Sequence, residues 1–109
     1  MTSEQNIHIL LLYEVPASGE GPESALAYLK YSNWEDERNV YKSLLRLGYN
    51  VSCYGLYKKV DDLIDFVRNI KPDLVFNLSE TIMGKRLFEP NIAAIFESLG
   101  VAYTGSSSR

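Results

Sequence analysis

The sequence has one cysteine and one histidine among 109 residues. Cys53 alone cannot form an internal disulfide. That excludes the small disulfide-framed secreted folds and makes the reducing cytoplasm the expected compartment. His8 stands inside an apolar run with no neighbouring ligand or nucleophile, so a structural histidine is expected there. Cys53 likewise sits in an apolar stretch without a histidine nearby, and it reads as a buried free thiol. Long hydrophobic runs are missing too: the longest aliphatic run is 9–12, against the roughly 20 residues of a membrane span. The start, Thr2-Ser3-Glu4-Gln5-Asn6, lacks the basic and apolar regions of a secretory signal. Nor is positive charge in excess. With 11 Lys and Arg against 14 Asp and Glu, the net charge is −3, which argues against a nucleic-acid partner that would require a basic face.

What is present suffices for one folded domain, with 46% hydrophobic and 23% charged residues. Residues 7–13 (Ile-His-Ile-Leu-Leu-Leu-Tyr) are almost continuously apolar, as in a strand covered on both faces, and should form the central strand. Residues 14–33 form a long connection, in which Pro22 suits the first position of a short helix running to Tyr31. Gly19 and Gly21 lack the third glycine of a dinucleotide fingerprint. Ser32-Asn33-Trp34-Glu35 fits a capping box opening a second helix. Val40, Tyr41, Leu44, Leu45 and Leu47 mark its apolar stripe, and Gly48 marks its end. Glu35, Asp36 and Glu37 complement the helix dipole in its first turn.

A second strand is expected over 50–56. A third helix follows, with Val60, Leu63, Ile64, Val67 and Ile70 on one face, and Pro72 stops it. A third strand covers 73–78, a polar loop 79–88 and a fourth helix 89–99, with Ile92, Ile95, Phe96 and Leu99 apolar and Gly100 past its end. Residues 101–103 supply a fourth strand. The β-α-β-α-β-α-β order predicts an α/β fold of three layers, Rossmann-like, with a four-stranded parallel sheet in order 2-1-3-4 and helices on both faces. Loops 14–33 and 79–88 should then flank the switch point between the first and third strands, where open α/β sheets bind ligands.

Asp73-Leu74-Val75-Phe76-Asn77-Leu78-Ser79-Glu80, then Ile95-Phe96-Glu97-Ser98-Leu99-Gly100-Val101-Ala102-Tyr103-Thr104-Gly105-Ser106, resembles the N-terminal, pre-ATP-grasp domain of D-alanine-D-alanine ligase and ligase-like ATP-grasp proteins. The second run is the more specific, and the resemblance covers nearly the whole chain. It implies one wall of a site for a small amino-acid-like or carboxylate substrate, lined by Glu14, Asn77, Ser79, Glu80 and Glu89, with Thr104, Gly105 and Ser106 as a hinge. Glu20 is a further candidate to hold a substrate amine. The parent enzyme would use ATP and Mg²⁺ to activate a carboxylate as an acyl phosphate, which an amine attacks to form an amide. No cofactor is expected in this chain itself, which stops at Arg109, short of the nucleotide-binding residues. It is expected to be inactive without the ATP-grasp domain or a partner chain. The loop 79–88 departs from the His-Gly and Gly-Glu-Asp-Gly patterns of D-alanine ligases, with only Gly84 and Glu89 in common, so D-alanine itself is not implied.

A reading from another class is a non-catalytic flavodoxin-like binding or interaction module, which could pair as a homodimer through Tyr28, Tyr31 and Trp34 if they share an exposed face. A receiver domain is disfavoured: the first strand ends without an acidic pair, and the third ends in Asn77. Asn77 and Glu80 could equally serve to cap backbone groups at the strand end.

Overall fold

The computed structural model describes residues 7–78, 94 and 96–105. Four strands, β1 (His8–Glu14), β2 (Asn50–Leu56), β3 (Leu74–Asn77) and β4 (Ala102–Gly105), form one sheet in the order β2-β1-β3-β4. All three strand pairs are parallel. The α/β fold and its 2-1-3-4 order therefore agree with the sequence pattern.

The apolar run of β1 explains its central place. Leu10, Leu11, Leu12 and Tyr13 are all completely buried, and alternate side chains of a strand leave on opposite faces. Leu10 and Leu12 join Tyr54, Leu56, Val75 and the helical residues Leu63, Val67 and Phe96 in one core. Leu11 and Tyr13 join Cys53, Val15, Ala25 and Leu29 in the other. Burying one such large side chain contributes about 1.5–3 kcal/mol. Two cores drawing on one strand place it between two helical layers.

Helices α1 (Pro22–Tyr28), α2 (Glu35–Arg46) and α3 (Val60–Ile70) lie within the described residues, with short 3₁₀ turns at Ala17–Gly19 and Ser32–Trp34. Pro22 occupies the start of α1 as expected. That helix ends at Tyr28 rather than Tyr31, because Leu29 N–H turns back to the Leu26 carbonyl and Tyr31 N–H to that of Tyr28. The capping box does not form: the residues from Ser32 to Trp34 make the second 3₁₀ turn, Trp34 precedes α2, and no side chain caps it.

Within α2, Leu44 is buried and Val40 and Tyr41 pack on the core, whereas Leu45 and Leu47 are 45% and 71% exposed. Leu45 is rotated about 100° from Leu44, and Leu47 lies past the last helical residue. The stripe of α3 holds. Gly48 and Gly100 adopt positive φ, as expected of residues ending helices, and Lys71 also takes the left-handed conformation, before Pro72.

Strand ends shift by a residue or two from expectation. Asp73 stands outside β3, where its carboxylate accepts the His8 N–H at 2.8 Å and its own N–H donates to the His8 carbonyl at 2.8 Å. The His8 ring meets the Ser52 hydroxyl across the β1/β2 pair at 2.7 Å, the structural role expected of it. Leu78 lies beyond β3, but its N–H still reaches the Leu12 carbonyl. The loop 79–88, most of the helix 89–99, and Ser106 lie outside the described residues. Residues 96–98 are helical.

Candidate functional site

The carboxyl edge of the sheet gathers part of the expected set. Leu12 pairs with Asn77, and Asn77 with Gly105. Glu14, two residues beyond Leu12, is the last residue of β1. Glu14, Asn77, Thr104 and Gly105 therefore meet on three adjacent strands at the switch point between β1 and β3. Thr104 and Gly105 belong to β4 itself. Ser79, Glu80, Glu89 and Ser106 lie outside the described residues.

Around Glu14 the environment is acidic. Glu37 in the first turn of α2 has its carboxyl pushed above the ordinary range, by burial first and then by the charges of Asp36 and Glu14. The Glu14 carbonyl accepts the Trp34 indole N–H at 3.0 Å, which ties the entrance of α2 to the end of β1. Trp34 contacts Tyr28 with rings 4.9 Å apart, and Tyr31 meets Tyr28 at 5.5 Å. Tyr28 and Trp34 pack against the core, and Tyr31 is half exposed. The three aromatics do cluster, two of them mainly as packing.

The first loop takes a path that the sequence did not reveal. After β1 it turns toward β2, away from β3. Val15 N–H donates to the Leu56 carbonyl, and Gly21 and Gly55 exchange two backbone hydrogen bonds of 2.9 Å as an antiparallel bridge. Gly55 is required for this close approach, since a Cβ there would lie 2.7 Å from both the Gly19 carbonyl oxygen and a Val15 methyl. Gly21, at φ 108°, turns the chain into α1.

This path delivers Glu20 to the start of α3. One oxygen of its carboxylate, Oε2, accepts the N–H groups of Tyr57, Lys58 and Lys59 at 2.8, 2.7 and 2.7 Å. These amides open the helix and have no partner within it. Burial works against the charge. The three amides, with the Lys59 ammonium, more than offset it and hold the carboxyl below its ordinary value. Glu20 is thus committed to its own backbone rather than presented to a substrate amine.

Among the described residues, no group of three or more His, Cys, Asp or Glu side chains is placed to hold a metal ion. No described helix is long and apolar enough to cross a membrane. Cys53 is a buried free thiol, as expected, and burial pushes its pKa up to about 11.

Next to Glu20 a cleft of about 320 Å³ is lined by Tyr54, Lys58, Lys59 and Asp62. The sequence pointed to none of these. Its lining runs from Ala17 to Asp62 along the chain, so no local spacing could have signalled it. With this geometry in place, comparison with protein-family models, curated proteins and solved structures yields no match.

Proposed function

We propose that this chain is the substrate-side, N-terminal domain of an ATP-dependent carboxylate-amine ligase resembling D-alanine-D-alanine ligase, and that it is not catalytic by itself. The observation carrying the reading is the union of two features. The run from Tyr103 to Ser106 has the family's Tyr-Thr-Gly-Ser pattern, and its first three residues lie on β4 beside Asn77. Strand β4 ends at the carboxyl edge beside β3, one strand from the switch point, so a nucleotide-grasping domain attached there would close over Glu14 and Asn77.

In this reading the domain orients a small amino-acid-like or carboxylate substrate. ATP and Mg²⁺, held outside these residues, supply carboxylate activation. The chain's own part is positional: Asn77 stands at the end of β3 beside the switch point, and the acidic edge at Glu14 and Glu37 suits a substrate ammonium. A cytoplasmic setting fits such a ligase.

The gene supplies the test. A reading frame that continues beyond Arg109 into a nucleotide-grasping domain is the expected result, whereas a stop codon directly after Arg109 overturns the reading. Calorimetry of the 109-residue chain with Mg-ATP should show no binding. A tight complex would contradict the division of labour proposed here.

A further inference from the structure

Tyr54 is only 3% exposed, yet its hydroxyl makes no hydrogen bond among the described residues. A buried hydroxyl left without a partner is destabilising, and such groups call for an explanation. The side chain lines two adjoining clefts that share Gly21, Tyr54 and Asp62, of about 320 and 370 Å³. Volumes in this range suit small ligands.

Acidic groups outnumber basic ones around it, with Glu20, Asp62 and Asp65 against Lys58 and Lys59. Burial, and then the carboxylates of Asp62, Glu20 and Asp65, push the Tyr54 hydroxyl up to about 12. All three carboxylates therefore lie around its polar end, and the hydroxyl stays neutral. Asp62 and Asp65 stand three residues apart on α3 and so share a face. Among the described residues, neither side chain enters a hydrogen bond or an ion pair. Glu20, by contrast, already faces three amides and the charge of Lys59. The Lys58 ammonium lies over the Tyr57 ring, 5.4 Å from its centroid. The Phe66 ring, 5.0 Å from that of Tyr54 and only partly buried, offers aromatic surface to a cation.

We propose that this cleft, between the start of α1 and the outer face of α3, binds a small organic cation through an ammonium or guanidinium group. The Asp62 and Asp65 carboxylates pair with its N–H donors. The Tyr54 hydroxyl gains the partner it lacks, and the Phe66 ring covers the apolar part of the ligand. The three carboxylates outnumber the Lys58 and Lys59 ammonium groups and favour a cation over an anion. The absence of a metal-holding group among the described residues disfavours a bare divalent ion. The site lies at β2 and α3, away from the β1/β3 switch point, and is independent of the ligase reading.

The test is a two-dimensional ¹H–¹⁵N NMR titration of the 109-residue chain with agmatine sulfate at constant ionic strength, with sodium sulfate as the control. Saturable shifts confined to Gly21, Tyr54, Asp62, Asp65 and their neighbours are expected. The double substitution Asp62→Asn/Asp65→Asn should weaken binding at least about tenfold, the scale of one charge-assisted hydrogen bond. Tyr54→Phe should weaken it by a smaller factor. Circular dichroism establishes that each variant is folded. Shifts in wild type that fail to saturate, that sodium reproduces, or that the double variant retains at unchanged affinity would overturn the proposal.

Discussion

Tyr13 is fully buried in the middle of the sheet yet carries a hydroxyl, and three residues explain how it is accommodated. Helix α1 ends at Tyr28, so the Ala25 carbonyl is among the last four, which lack a regular helical partner. The Tyr13 hydroxyl donates to that carbonyl at 2.7 Å. Its single proton is thereby used. Burial, then the neighbouring Cys53, push the Tyr13 phenol well above its ordinary range, so the neutral form persists. Tyr13→Phe preserves the ring and leaves the Ala25 carbonyl without this partner. A stability loss of about 1–3 kcal/mol is expected, measured as a lower urea midpoint with unchanged slope. A variant as stable as wild type would show that this hydrogen bond contributes nothing. The buried position of Tyr13 could be read from its place in an apolar run. Its partner could not, because Ala25 needs a hydroxyl only where α1 happens to stop.

At the scale of elements, the loop between β1 and α1 is fastened by Glu20. The residue joins α1's approach to the start of α3, and the bridge between Gly21 and Gly55 covers part of the outer edge of β2, an exposed row of amides and carbonyls otherwise open to pairing. Because the folded carboxyl titrates below its ordinary value of 4.5, its contribution is fully present above that value. It is lost as the pH falls through the lower, folded value. Glu20→Gln keeps an acceptor but loses the charge. The variant should therefore unfold at lower urea concentration than wild type at pH 7, and the gap should narrow as the pH falls below 4.5. A gap that stays constant with pH would mean that the charge plays no part. Helix identities were largely visible in the apolar spacing of α2 and α3. Their beginnings were less so: Ser32 had the residue type and spacing of a cap, but the 3₁₀ turn at Ser32–Trp34 took its place, with the Trp34 indole anchored on Glu14 instead.

For the molecule as a whole, two cores share one strand, and Cys53 lies in the one beneath α1 and α2. Its thiol is 6% exposed and raised to about 11 by burial, so it is both inaccessible and protonated near neutrality. Alkylation by iodoacetamide should follow global unfolding, with a urea dependence parallel to the loss of circular dichroism. Rapid labelling of the native chain would mean that this layer opens independently of the rest. The sequence by itself determined the strand order, because β1 is apolar on both faces and the helical connections leave a parallel sheet as the way to bury it. It also determined the helix ends at Gly48 and Gly100, where left-handed turns favour glycine. Only the tertiary structure decided where the first loop goes, because the Glu20 contact joins residues 37–39 positions apart. Such a contact depends on how the layers stack and leaves no periodic trace along the chain. The same holds for the acidic cleft over Tyr54, where side chains from three separate elements meet around one hydroxyl.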